Sequence, residues 1–276
     1  MNQSSRPPAA FGGVVGPLII AHRGGSLEAP ENTLAAIRHG VSCGADWQEL
    51  DVTLTRDDAV IVIHDDSVDR TTDGHGEVAR QNLSELRRLS AGRPRFSESA
   101  VAHLTAVHAK APDFGDKFAA EHLPTLDEVL AVPGTRLMIE LKKGDRGERL
   151  VDRVLEVLRK ANALDRVALA SFDDELLFRV SQREPSVPLI GIAQDLAGVT
   201  RHLELPVSVL AVSTEIARDV LARAPAKVAV WTWTIYSVEQ AVELRDLGAH
   251  GLITDIPAAL VAAMRPAGSV YVEPAK

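Results

Sequence analysis

The chain has 276 residues, of which 46% are hydrophobic and 25% charged, with a formal net charge of -8; this composition suits one large domain that buries a sizeable core. The negative balance argues against nucleic-acid or anionic-membrane partners, because a phosphate backbone requires a basic face, so any positive site must be local. Cys43 is the single cysteine, which rules out an internal disulfide and fits a reducing compartment.

In chain order, residues 1–8 are polar and contain prolines, and the apolar run at 14–21 is short and interrupted by Gly16 and Pro17. It reads as neither a signal peptide nor a membrane span. No other apolar run approaches the ~18 residues of a span, so a cytoplasmic protein without stable membrane insertion is expected.

From Leu18 onward, short β-rich runs alternate with helical patterns, the rhythm of parallel βα units. Expected strands are Leu18–Ala21, Trp47–Leu54, Val60–His64, Arg136–Leu141, Val167–Ser171, Leu189–Ile192, Val209–Val212, Val228–Trp233 and Gly251–Thr254. Expected helices are Thr33–Cys43, Ser84–Leu89, Leu126–Leu130, Glu148–Ala161, Asp174–Ser181, Glu215–Ala224, Val238–Leu247 and Ala258–Met264. Asn32 or Thr33 can cap the first helix, and Gly44 and Gly248 follow two of them. Nine strands are one too many for an eight-stranded ring. The link from Leu54 to Val60 is too short for a helical crossover, so those two runs form an antiparallel hairpin; with Asp57 and Asp58 as a two-residue turn, Asp51 would pair with His64. Residues 72–123 lose the rhythm and read as an insertion over the face that carries chemistry, within a single barrel domain spanning 14–265. After Pro266 the chain reads as a loose tail.

Polar residues then cluster where apolar runs end. Leu18-Ile19-Ile20-Ala21 leads into His22-Arg23; Glu49 and Asp51 share one strand face; Val60 to Ile63 ends in His64; and Leu137-Met138-Ile139 ends in Glu140 and, two residues on, Lys142. In a parallel barrel such C-terminal strand ends converge on one rim. Three carboxylates at ~4 Å separations would repel by about 4 kcal/mol per pair at an effective dielectric near 20. A cation is therefore expected, and an all-oxygen set without cysteine suits Mg²⁺ or Ca²⁺ better than zinc. Arg23 and Lys142 suit phosphoryl oxygens, and His22 and His64 offer a base and an acid for breaking a P–O bond. The other histidines, including His39, His103, His108 and His202, carry no such pattern.

Together these segments resemble the glycerophosphodiester phosphodiesterase family. The series runs from His22-Arg23-Gly24, Pro30-Glu31-Asn32-Thr33 and Glu49-Leu50-Asp51-Val52 through His64-Asp65, Arg70-Thr71-Thr72-Asp73-Gly74 and Pro124-Thr125-Leu126-Asp127-Glu128. It continues with Glu140-Leu141-Lys142, Ser171-Phe172, Trp231-Thr232 and Gly251-Leu252-Ile253-Thr254-Asp255. The resemblance implies a (β/α)8 TIM barrel with an insertion after an early strand, and metal-dependent hydrolysis of glycerophosphodiesters to sn-glycerol 3-phosphate and an alcohol. By family position Glu49, Asp51 and Glu140 bind the metal, His22 and His64 are acid and base, and Arg23 and Lys142 hold the phosphate. Where the family usually carries Asn, this chain has Thr234, and it has Trp233 in place of an aliphatic residue. Trp231 is expected to line the substrate pocket, while Pro30 to Thr33 and Arg70 to Gly74 read as scaffold. Two other readings remain: a lysophospholipase D with an acyl groove formed by Phe96, Phe114 and Phe118, and a barrel that binds phosphodiesters without cleaving them.

Overall fold

The computed structural model describes residues 11, 16–106 and 109–265. The readings made for residues 1–8, 14 and 15, for His108 and for the tail after Pro266 lie outside the described residues. Eight parallel strands close a ring: β1 (Leu18–Ala21), β2 (Trp47–Leu54), β4 (Leu137–Leu141), β5 (Val167–Ser171), β6 (Leu189–Ala193), β7 (Val209–Ser213), β8 (Ala229–Ile235) and β9 (Gly251–Thr254), with β1 hydrogen-bonded to both β9 and β2. The extra strand, β3 (Val60–Val62), lies outside the ring and pairs antiparallel with β2. The fold is thus a (β/α)8 TIM barrel, as the resemblance implied.

Strand alternation divides the core into two layers. Outward-facing Ile19, Leu50, Val52, Leu137, Ile139, Leu169, Leu210, Val230 and Leu252 pack under the helices. Inward-facing Leu18, Ile20, Trp47, Met138, Ala168, Ile190, Val209, Ala211, Trp231 and Ile253 fill the barrel together with Phe11. Both faces are buried, so these strands read as continuous apolar runs. The bottom is closed by three aromatic rings: Phe11 lies 5.4 Å from Trp47 and 5.2 Å from Trp231, near edge-on to the latter, a favoured aromatic geometry.

The helices α1 (Leu34–Ser42), α5 (Gly147–Lys160), α6 (Asp174–Arg183), α7 (Leu196–His202), α8 (Ala217–Arg223), α9 (Val238–Asp246) and α10 (Pro257–Met264) cover the ring. Helix α5 shows why: Leu150, Val151, Val154, Leu155 and Leu158 recur at helical spacing and are all buried. Thr33, and not Asn32, caps α1, its hydroxyl accepting from the Ala36 amide at 3.2 Å. Between β3 and β4 the chain leaves the ring and forms α2 (Leu83–Leu86), α3 (Glu98–Ala106) and α4 (Leu126–Leu130). Helices α3 and α7 were not expected from the sequence. Each begins in a stretch without strong amphipathic spacing, and α7 also carries Gly198 and Thr200, both weak helix formers.

The β2–β3 register differs from expectation. Val52 pairs with Val62 and Leu54 with Val60, so Ile63, whose amide donates to the Asp51 carbonyl at 3.0 Å, lies opposite Asp51. The connection holds three residues: Thr55 N–H donates to Ala59 O, and Asp58 takes a left-handed φ of 62°. That is a three-residue hairpin loop with a bulge in place of a two-residue turn, and the additional residue shifts the register by one.

The turn following β1, His22 to Gly24, packs directly on α1. At Gly24, φ is 84°, and a Cβ would lie 2.5 Å from the carbonyl carbon of Ala36. Glycine is required for both reasons. Gly24→Ala is expected to lower the unfolding free energy by about 2 to 4 kcal/mol, from the left-handed φ and from overpacking against α1. A denaturant midpoint equal to that of the parent chain would show that the turn relaxes freely.

Candidate active site

Following each inward column of side chains toward the C-terminal end of its strand, apolar residues give way to polar ones. The columns run Leu18, Ile20, His22; Trp47, Glu49, Asp51; Met138, Glu140, Lys142; and Gly251, Ile253, Asp255. Period-2 alternation and parallel register therefore bring the polar members to one rim. Asp51 and Glu140 are register partners on β2 and β4, and oxygens of Glu49, Asp51 and Glu140 all lie within 4.8 Å of one another, buried.

Local cations compensate this cluster unevenly. Lys142 Nζ lies 2.8 Å from Glu140 Oε1 and 3.5 Å from Asp51 Oδ1. Arg23 Nε stands 3.5 Å from Asp51 Oδ2, and Asn32 Nδ2 donates to that oxygen at 2.9 Å. Burial raises the Asp51 carboxyl, but His64, Lys142 and Arg23 outweigh it and hold Asp51 well below the ordinary carboxylate range. Glu49 accepts from the Arg23 backbone amide at 2.9 Å, but burial, Asp51 and Glu140 outweigh that bond and the Arg23 charge and push its carboxyl well up. Burial and Asp51 also raise Glu140. Burial opposes the charge on Lys142, yet Asp51 and Glu140 prevail and its ammonium is pushed up to about 12. The cluster is short of positive charge at Glu49 and Glu140, as an all-oxygen site for a hard divalent cation would be.

Each histidine is held by a carboxylate through its Nδ1. His22 Nδ1 lies 2.6 Å from Asp255 Oδ1, which is buried at the end of β9, and its Nε2 is 4.0 Å from Glu49. His64 Nδ1 lies 2.7 Å from Asp65 Oδ1. A protonated Nδ1 donating to the carboxylate leaves Nε2 as the free nitrogen on each ring. Both histidines line one cavity with Arg23, Glu49 and Glu140.

All seven expected polar residues are therefore gathered at one rim, with Arg23 and Lys142 engaged by carboxylates. Trp231 is a correction. It is fully buried and does not line the cavity. Its register partner is Gly251, itself paired with Leu18, so it sits in the bottom layer below His22. There its ring fills space that a Cβ on Gly251 would enter at 2.6 Å. The cavity wall instead carries Trp233, two residues further along β8, edge-to-face with Phe172 at 5.7 Å, together with Thr234.

Sequence reasoning also left four site residues without a role in the chemistry. Asp255 continues the inward column of β9, a signal open to the alternation that identified Glu49 and Asp51. Asn32 was read as a cap, but its left-handed φ of 57° aims it at Asp51. Glu31 and Arg70 were read as scaffold. Glu31 accepts from Arg23 Nη1 at 2.8 Å and from Arg70 Nη1 at 2.6 Å, long-range pairings that carry no local pattern.

Comparison with known proteins gives the family and supports the fold. The sequence model of the glycerophosphoryl diester phosphodiesterase family matches residues 22–259. A glycerophosphodiester phosphodiesterase of Caldanaerobacter subterraneus is 32% identical over 261 residues, covering 91% of this chain and 99% of that relative. Human glycerophosphodiester phosphodiesterase 1 is 42% identical over 112 residues, 41% of this chain and 29% of its own length. Among solved structures, an Oleispira antarctica phosphodiesterase in complex with the product sn-glycerol-3-phosphate matches with a TM-score of 0.78 and 28% identity, covering 91% of this chain and 98% of that one. With the family model matching residues 22–259, nearly the whole of the barrel, the chain belongs to the glycerophosphoryl diester phosphodiesterase family of hydrolases.

Proposed function

We propose that this enzyme hydrolyses glycerophosphodiesters to sn-glycerol 3-phosphate and an alcohol, using a divalent cation, Mg²⁺ or Ca²⁺, held by Glu49, Asp51 and Glu140. The supporting observation is the trio of buried carboxylates within 4.8 Å of one another, undercompensated at Glu49 and Glu140 and facing a cavity lined by two histidines. The donor set fits a hard cation, and the Oleispira antarctica neighbour carries the corresponding product. Such a cation, when bound, neutralises phosphoryl oxygens and makes the phosphorus a better electrophile.

In this reading Arg23 and Lys142 add fixed positive charge where negative charge develops. His22 and His64 divide the two proton transfers through Nε2: one takes a proton from the attacking hydroxyl or water, and the other delivers one to the leaving alkoxide. Asp255 and Asp65 fix the tautomers and stabilise each imidazolium as it forms. Their presence favours catalysis over the reading of a barrel that only binds. Residues 14–265, with the 72–123 insertion covering the mouth, serve as one catalytic domain. Among the described residues no helix is long and apolar enough to cross a membrane. A cytoplasmic setting is part of the same proposal, supported by the lone thiol of Cys43.

Glycerophosphodiesters are favoured over lysophospholipids by the placement of three phenylalanines. Phe114 packs 6.0 Å from Phe96 and 5.7 Å from Phe118, and none of the three lines the cavity. They cluster among themselves within the insertion, apart from the residues that line the cavity.

His22→Ala and His64→Ala are each expected to lower kcat on glycerophosphocholine by roughly 10²-fold or more with the fold retained, and Asp255→Asn should lower it in the same direction. Turnover within a few-fold of the parent for both histidine variants would sink the proton-transfer roles. Excess chelator should abolish hydrolysis, Mg²⁺ or Ca²⁺ should restore it, and Glu49→Gln should raise the metal concentration for half-maximal rate; full activity in chelator would refute the metal site. Assayed side by side, glycerophosphocholine should show a higher kcat/KM than lysophosphatidylcholine, and the reverse order would favour the lysophospholipase D reading.

A further inference from the structure

Arg70 lines the catalytic cavity and is only 19% exposed, yet every N–H of its guanidinium is engaged within the protein. Nε donates to Asp65 Oδ2 at 2.7 Å, and Nη2 donates to Asp65 Oδ1 at 3.0 Å and to Glu31 Oε1 at 2.8 Å. Nη1 donates to Glu31 Oε2 at 2.6 Å and to the carbonyl of Arg95 at 2.9 Å. That accounts for all five donors of an arginine, leaving none for a substrate phosphate. Glu31 is almost fully buried between Arg70 and Arg23, so the guanidinium is anchored on its far side by an anion that cannot turn away to water.

The near side of this fork grips Asp65, the carboxylate that contacts His64 Nδ1 at 2.7 Å. Asp65 is about a quarter exposed, and without the fork its carboxylate would be free to rotate toward solvent and release the ring. The same arginine is tied to the insertion: the Arg95 amide donates back to the Arg70 carbonyl at 2.9 Å, and Ser97, Glu98 and Ser99, which begin two residues on, form part of the cavity wall. We propose that Arg70 is a positioning residue which, through Asp65, holds His64 with Nε2 toward the substrate, and which couples that orientation to the seating of residues 95–99. This rests on the reading above that His64 transfers a proton.

Lysine has the charge but only three donors and no planar fork, so it cannot reproduce these five bonds or grip both carboxylates bidentately. Arg70→Lys is expected to lower kcat roughly tenfold or more, the scale of a misplaced catalytic group, with KM for glycerophosphocholine within about threefold of the parent. Arg70→Ala should fall further and recover in part with added guanidinium. In an Asp65→Asn background, Arg70→Lys should cost little more, because both changes break one path to His64. A raised KM with kcat retained would make Arg70 a substrate ligand and overturn the proposal, as would unchanged kcat or additive losses. Thermal melts accompany each variant: if both Arg70 variants fail to fold, the fork is structural and the proposal falls. If His64→Ala itself keeps full turnover, the proton-transfer reading has failed; if His64→Ala is inactive while the Arg70 variants are not, only the positioning inference has.

Discussion

The constraint on which the rest of the structure depends is the burial of like charges at the barrel mouth. Glu49, Asp51 and Glu140 come from two adjacent strands and lie within 4.8 Å of one another. Each such pair costs about 4 kcal/mol at an effective dielectric near 20, and desolvation adds to that cost. Most polar contacts around them counter it: Lys142 reaches two of the three carboxylates, Arg23 supplies a guanidinium to Asp51 and an amide to Glu49, and Asn32 donates to Asp51. Compensation is complete at Asp51 and incomplete at Glu49. The site is thus an anionic socket whose deficit matches a divalent ion, bordered by cations that match a phosphate.

Compensating charges themselves need anchoring, and this spreads the network outward. Arg23 and Arg70 share the buried carboxylate of Glu31, Arg70 grips Asp65, and Asp65 meets His64. His22 in turn rests on the buried Asp255. The polar load is confined to one end, while the other is plugged by Phe11, Trp47 and Trp231 and by inward aliphatic side chains. Stability resides at the bottom and chemistry at the top, the division expected of this architecture.

Much of this was legible in the chain. Parallel βα rhythm, the outlying hairpin strand and the convergence of His22, Glu49, Asp51, His64, Glu140 and Lys142 followed from alternation and from where apolar runs stop. Failures occurred where a decision depended on one residue of register or on a distant contact. The bulged loop at Asp58 moved the partner of Asp51 from His64 to Ile63. Trp231 and Trp233 share a strand face and differ only in depth, and depth is set by pairing with Gly251 and Leu18, which no local pattern reveals. Helix α3 rests on the barrel rim, with Ser99 accepting from the Tyr236 hydroxyl at 3.0 Å, a contact across 137 positions.

By itself, then, the sequence determined the periodicities: which residues alternate inward, which runs end in charge, and therefore which side chains arrive at the C-terminal rim of a barrel. These are local properties, read at a spacing of two along a strand or of three to four along a helix. Tertiary structure alone decided the level at which each side chain sits and the partner it meets, making Trp233 the wall and Trp231 the plug, and turning Glu31 and Arg70 from scaffold into supports of the site. The physical reason is that ring closure and strand register bring together groups far apart in the chain, and the energy of a buried charge depends on those neighbours.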